Sequence, residues 1–110
     1  MYLCATRGSS APDYDGLIGA EFRVDGLPQG WFAESVRAPS SVSIGNPFGN
    51  GANIAFPTRQ NAACILLYTV TIFPNPPGAA ATLRIKAHAT PSNPNYNCPL
   101  LVFDSFEPFR

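Results

Sequence analysis

Cys64-Ile65-Leu66-Leu67-Tyr68-Thr69-Val70-Thr71-Ile72-Phe73 runs for ten residues without a charge, a glycine or a proline. Its β-branched and aromatic side chains suit a pleated, packed surface better than a helix. Apolar residues stand on both faces, which suits a central strand. Pro74, Pro76 and Pro77 then end it, since proline offers no N–H to a ladder. An uncharged stretch of this kind on an open edge would template a second chain. It is therefore expected in the middle of a sheet, with a strand on each side.

Outward from this segment the same signal recurs in weaker form. In Leu17–Val24, Ile18, Ala20, Phe22 and Val24 alternate with Gly19, Glu21 and Arg23, which predicts one dry and one wet face. Thr82–Ala89 alternates likewise, with Leu83, Ile85, Ala87 and Ala89 on one side and Thr82, Arg84, Lys86 and His88 on the other. Tyr2–Thr6, Trp31–Val36, Val42–Ile44, Asn53–Phe56 and Leu100–Phe103 read as shorter strands. Turn residues separate them: Asp25-Gly26, Pro28-Gln29-Gly30, the loop Gly45–Gly51 and the Asn-rich connection Pro91–Pro99. With 12 prolines and 9 glycines, almost no window holds three helical turns, because a proline inside a helix costs about 3 kcal/mol. Seven or eight short strands predict an all-β fold: one antiparallel β-sandwich domain over residues 1–110, Ig-like or jelly-roll. Its expected core is Phe22, Val24, Ile54, Phe56, Tyr68, Val70, Ile72, Leu83, Ile85 and Leu101.

Seven basic residues balance seven acidic ones. A neutral chain lacks the positive field that binding to phosphates requires, which argues against a nucleic-acid partner. Low charge density with zero net charge favours association, so self-association or neighbouring protein subunits are the expected partners. The longest apolar run, Ala62–Tyr68, is far shorter than the roughly 20 residues of a spanning helix, so no membrane insertion is expected. No basic n-region followed by an apolar h-region stands after Met1.

Residues suited to catalysis are few. His88 is the one histidine; it is expected on a wet strand face, and no nucleophile motif accompanies it. Asp13-Tyr14-Asp15-Gly16 echoes a calcium loop, but with Gly16 at the loop's glycine position the first and last ligands fall on Ala11 and Phe22. Glu21, Glu34 and Glu107 have no spacing that selects a glycosidase pair. Gly45–Gly51 lacks the Lys-Ser/Thr ending of a phosphate loop. No enzyme activity, metal or cofactor is therefore expected. Cys4, Cys64 and Cys98 match no metal-ligand spacing. Cys64 and Cys98 each precede an apolar strand-like run, and a Cys64–Cys98 disulfide is expected. Cys4 is the alternative partner for either, and three buried free thiols are the other reading.

Two groups of residues are candidates for contact with partners. Tyr14, Trp31, Phe32, Phe48 and Tyr96 lie in or beside loops, where rings can stack on the apolar faces of a polysaccharide or close the ends of the core. Tyr2, Leu3, Phe103, Phe106 and Phe109 belong to the two apolar ends of the chain. Both ends are expected to be paired, either within the domain or by strand addition to a neighbouring subunit.

Gly19-Ala20-Glu21-Phe22-Arg23-Val24, Asn53-Ile54-Ala55-Phe56, Leu66-Leu67-Tyr68-Thr69-Val70 and Leu83-Arg84-Ile85, in that order, resemble the strand succession of cohesin-type sandwiches, whose architecture is related to that of carbohydrate-binding modules. With Gly30-Trp31-Phe32 and Asn97-Cys98-Pro99-Leu100 added, the pattern is also similar to uncharacterised secreted proteins of environmental bacteria. The likeness runs from Gly16 to Phe103. It implies a cohesin-like sandwich with a nonenzymatic, secreted or cell-surface role in adhesion, scaffolding or sugar contact, and it carries no binding residues across.

Overall fold

The structure is a computed structural model that describes residues 1–6, 16–92, 94, 95 and 97–103. Eight strands form within them: β1 (Tyr2–Thr6), β2 (Leu17–Asp25), β3 (Phe32–Arg37), β4 (Val42–Asn46), β5 (Gly51–Gln60), β6 (Cys64–Phe73), β7 (Arg84–Lys86) and β8 (Leu100–Phe103). They make two antiparallel sheets packed as a sandwich. One has the order β1-β6-β3; the other runs β4-β5-β2, with β7 and β8 sharing the far side of β2.

The uncharged strand β6 is central, as its composition requires, with β1 on one edge and β3 on the other. β2 is central in the second sheet. β5 pairs along one edge, while β8 takes Leu17–Glu21 and β7 takes Arg23–Asp25 on the other. β5 extends well beyond the expected Asn53–Phe56. It passes through Pro57 where the β2–β5 register shifts, so the proline falls in an irregularity rather than a regular ladder. Conversely, the alternation of Thr82–Ala89 yields only three strand residues. After Lys86 the chain leaves the ladder and folds over the outer face, where Ala89 N–H donates to Asn50 O at 2.8 Å.

Both sheets supply the core. Leu17, Ala20, Phe22, Val24, Ala52, Ile54 and Phe56 meet Leu67, Tyr68 and Val70. Phe22 and Tyr68 join the layers edge to face, with ring centroids 5.9 Å apart and planes at 71°, a favoured aromatic geometry. A bulge sets this up. Between Leu3 and Cys4 the β1–β6 register shifts, leaving Leu67 as the extra residue of β6. Leu67 and Tyr68 are therefore both buried, although they are adjacent in sequence. Six of the ten expected core residues are buried, and Ile72 and Leu83 pack partly against them. Ile85 and Leu101 do not fit the expectation: they point inward by register but are 47% and 39% exposed.

Tyr68 carries its hydroxyl into the sandwich, where a partner is needed. Ser43 of β4 supplies it, so this hydrogen bond also ties the two sheets together. Burial pushes the Tyr68 phenol above its usual range, against weaker opposing effects of the Ser43 hydrogen bond and the Arg37 charge. A raised phenol pKa means that the fold favours the neutral form. Its contribution is complete below the unfolded value of about 10 and is lost as pH rises through the folded one. Tyr68→Phe should cost about 1 kcal/mol at neutral pH. In urea melts repeated at alkaline pH, the wild type should lose stability that Tyr68→Phe keeps; parallel losses would show that Tyr68 is not the titrating group.

Candidate functional site

The two sheets differ in width. Three strands face four strand positions, so the side chains of the wider sheet beside β1 have no complete cover. The result is an apolar groove of about 450 Å³ between β1 and the β7–β8 edge. Leu3, Ala5, Leu67, Ile85, Leu100 and Leu101 line it, and Phe22 forms its floor. This explains the exposure of Ile85 and Leu101, which are core residues of a sandwich left open along one side. Such a volume suits a small ligand or a few side chains of a strand.

The outer face of the wider sheet is built differently. Glu21, expected to be wet, is 94% buried, with 6% of its surface exposed. The segment after β7 crosses over it, and its carboxylate accepts from Ser92 N–H at 3.1 and 3.2 Å and from Ser92 Oγ at 2.5 Å. Arg23 Nε donates to Ala87 O at 3.0 Å, anchoring the same segment one turn of the pleat away. Arg23, Arg84 and Lys86 keep the expected outward direction. Asp25 lies 3.3 Å from Lys86 and 3.5 Å from Arg23. Its carboxyl is held below the ordinary range, first by the Lys86 hydrogen bond and charge, then by Arg23 and the Gly26 N–H.

His88 is half-buried rather than on a wet face. Its Nδ1 accepts from Thr90 N–H at 3.0 Å, and its ring lies so close to Gly51 that a Cβ there would come within 2.5 Å of it. Glycine at Gly51, with φ of +127°, permits both the backbone conformation and the contact. A shallow depression of about 610 Å³ with mixed lining lies beside this ring, edged by Arg23, Ile85, Lys86, Asn97 and Cys98. Among the described residues no group of three His, Cys, Asp or Glu side chains converges as a metal site would require.

The loop aromatics divide. Phe48 packs partly against the core and closes one end of it. Trp31 donates from its indole N–H to Asn75 O at 3.0 Å, tying its turn to the proline-rich loop after β6. Phe32 is 75% exposed and sits opposite Phe73 on the outer face of the narrower sheet. Tyr14 and Tyr96 lie outside the described residues. Of the candidates at the chain ends, Leu3 lines the groove, and Tyr2 is exposed on β1 beside it. Phe103 pairs opposite Leu17 in β8, and Phe106 and Phe109 lie outside the described residues. The expected Cys64–Cys98 disulfide is not formed: Cys4, Cys64 and Cys98 are all free and exposed, so the alternative of buried thiols does not hold either. The neighbour of Cys64 is Cys4, brought to it by the β1–β6 pairing.

No family model, curated protein or solved structure matches the chain. The site is therefore read from its own geometry. Sequence reasoning missed the groove because it depends on the difference in sheet width. It missed the Glu21–Ser92 clamp because the partners are 71 residues apart. Glu21→Ala should cost about 2 kcal/mol, since it removes hydrogen bonds to a charged group. Chemical denaturation checks this, and a change below about 0.5 kcal/mol would mean that the clamp does not hold the crossing segment.

Proposed function

We propose that this chain is an extracellular structural or adhesive module that associates with neighbouring copies of itself by strand addition. The open groove carries this reading. It is apolar, and among the described residues the edges that border it, those of β1 and of β7–β8, have no strand on their outer side. An added strand would satisfy the N–H and C=O groups of one edge and place alternate side chains over Phe22 and Leu67. The donor in this reading is the stretch that follows β8 in a neighbouring copy, which carries Phe106 and Phe109. Zero net charge offers little repulsion between copies.

Light scattering and electron microscopy on purified protein test this directly. Wild type should form oligomers or filaments, whereas deletion of the stretch after β8 should leave a folded monomer. Leu101→Arg, which fills the groove with a charge, should do the same. A wild type that stays monomeric at high concentration, or variants that assemble unchanged, would end the proposal.

A carbohydrate-binding role is the second reading, supported by exposed Phe32 and Phe73 next to Trp31. Trp31 is the only tryptophan, so its fluorescence reports on that end of the molecule alone. In this reading at least one polysaccharide of a glycan panel quenches or shifts it, and Phe32→Ala weakens the response. Silence across the panel removes the reading.

A further inference from the structure

Cys4 and Cys64 are 60 positions apart in sequence and adjacent in space. Cys4 stands opposite Leu66, and Thr6 opposite Cys64, so the two cysteines occupy the same face of the β1–β6 ladder on a diagonal. The bulge at Leu67 is responsible. If the ladder continued regularly from Leu3↔Tyr68, Cys4 would meet Leu67, and Cys64 would point to the opposite face. The two thiols also sense one another: the neighbouring Cys64 thiol, followed by burial, pushes the Cys4 thiol above its usual range. Both side chains are exposed and therefore open to a dissolved oxidant. Cys98 lines the depression beside His88, with Arg23 and Lys86.

We propose that Cys4 and Cys64 form a reversible dithiol/disulfide couple that is oxidised by a low-molecular-weight disulfide and that, once oxidised, staples the edge strand β1 to β6. The thiolate of one cysteine attacks a sulfur of the small disulfide. An S–S bond to the protein forms, the small S–S bond breaks, and one small thiolate leaves. The second cysteine, as thiolate, then attacks the protein-bound sulfur; the protein disulfide forms and the second small thiolate leaves. Two electrons pass from the protein sulfurs to the small disulfide, and the two protons released end on the two small thiols. Diagonal ladder positions stand about 7–8 Å apart between Cα atoms, at the outer reach of a disulfide. Both side chains leave the ladder on the same face, so the sulfurs can turn towards each other. β1, paired along one edge only, closes the remaining distance. The inference is independent of the assembly reading, since it concerns one copy of the chain.

The test uses the full chain and Cys98→Ser, which leaves only the proposed pair. Incubation with oxidised glutathione should make Cys98→Ser about 2 Da lighter, with no thiol left to alkylate and a proteolytic fragment joining Cys4 to Cys64. Dithiothreitol should restore both thiols. In the wild type the same treatment should give the same Cys4–Cys64 bridge, with glutathione held on Cys98 alone, which is exposed and has no second cysteine to displace it. The bridged form should melt higher, by on the order of 10 °C, because a long loop is closed in the unfolded chain. Two stable glutathione adducts on Cys98→Ser, or a covalent dimer in place of the internal bridge, would overturn the proposal. So would Cys64→Ala if its Cys4 bridged to Cys98 as readily.

Discussion

The edge-to-face contact of Phe22 with Tyr68 is the constraint on which the sandwich rests. It joins the central strand of one sheet to the central strand of the other, where an aromatic pair excludes the most water. Placing a phenol there imposes further conditions. The hydroxyl requires an acceptor or donor inside the sandwich, and Ser43 of β4 provides it. β6 must also present Leu67 and Tyr68 to the same side, which a regular strand cannot do. The bulge that allows this shifts the register of β1 by one residue, and that shift decides which cysteines become neighbours. A packing requirement in the core thus sets the chemistry of an exposed face.

The unequal width of the sheets has an equally direct consequence. A sandwich closes when each inward side chain has a counterpart. Here the three strands of one sheet leave Ile85 and Leu101 of the other without one. The chain tolerates the opening because the centre of the core, from Leu17 to Val70, is complete without them. The cost of exposed apolar surface remains along the open side, and burial by an added strand would offset it.

The crossing segment after β7 shows how polar groups are managed on a covered face. A buried carboxylate is costly unless its oxygens are satisfied, and Ser92 contributes both a backbone and a side-chain donor to Glu21. No buried side-chain nitrogen or oxygen among the described residues lacks a partner. The clamp holds down the strip of chain that carries His88 against Gly51, so the one histidine is fixed by packing rather than aimed into solvent.

The strand order of β6 in its sheet, the antiparallel sandwich and most of the core were legible in the residues. Uncharged length, alternation and proline placement are local properties that act through the period of the strand itself. The spacing of proline and glycine left almost no window long enough for a helix. Other features came from pairings between distant segments. Glu21 alternates as a wet residue should, yet a segment 71 residues away covers it. Cys64 precedes an apolar run just as Cys98 does, but a one-residue bulge, invisible in composition, turns it towards Cys4. Ile85 and Leu101 carry the periodicity of core residues, and the width of the opposite sheet leaves them in a groove. Periodicity specifies which way a side chain points relative to its own strand. What it meets there is decided by strand order, register and the segments that cross the sheet, and those exist only once the chain has folded.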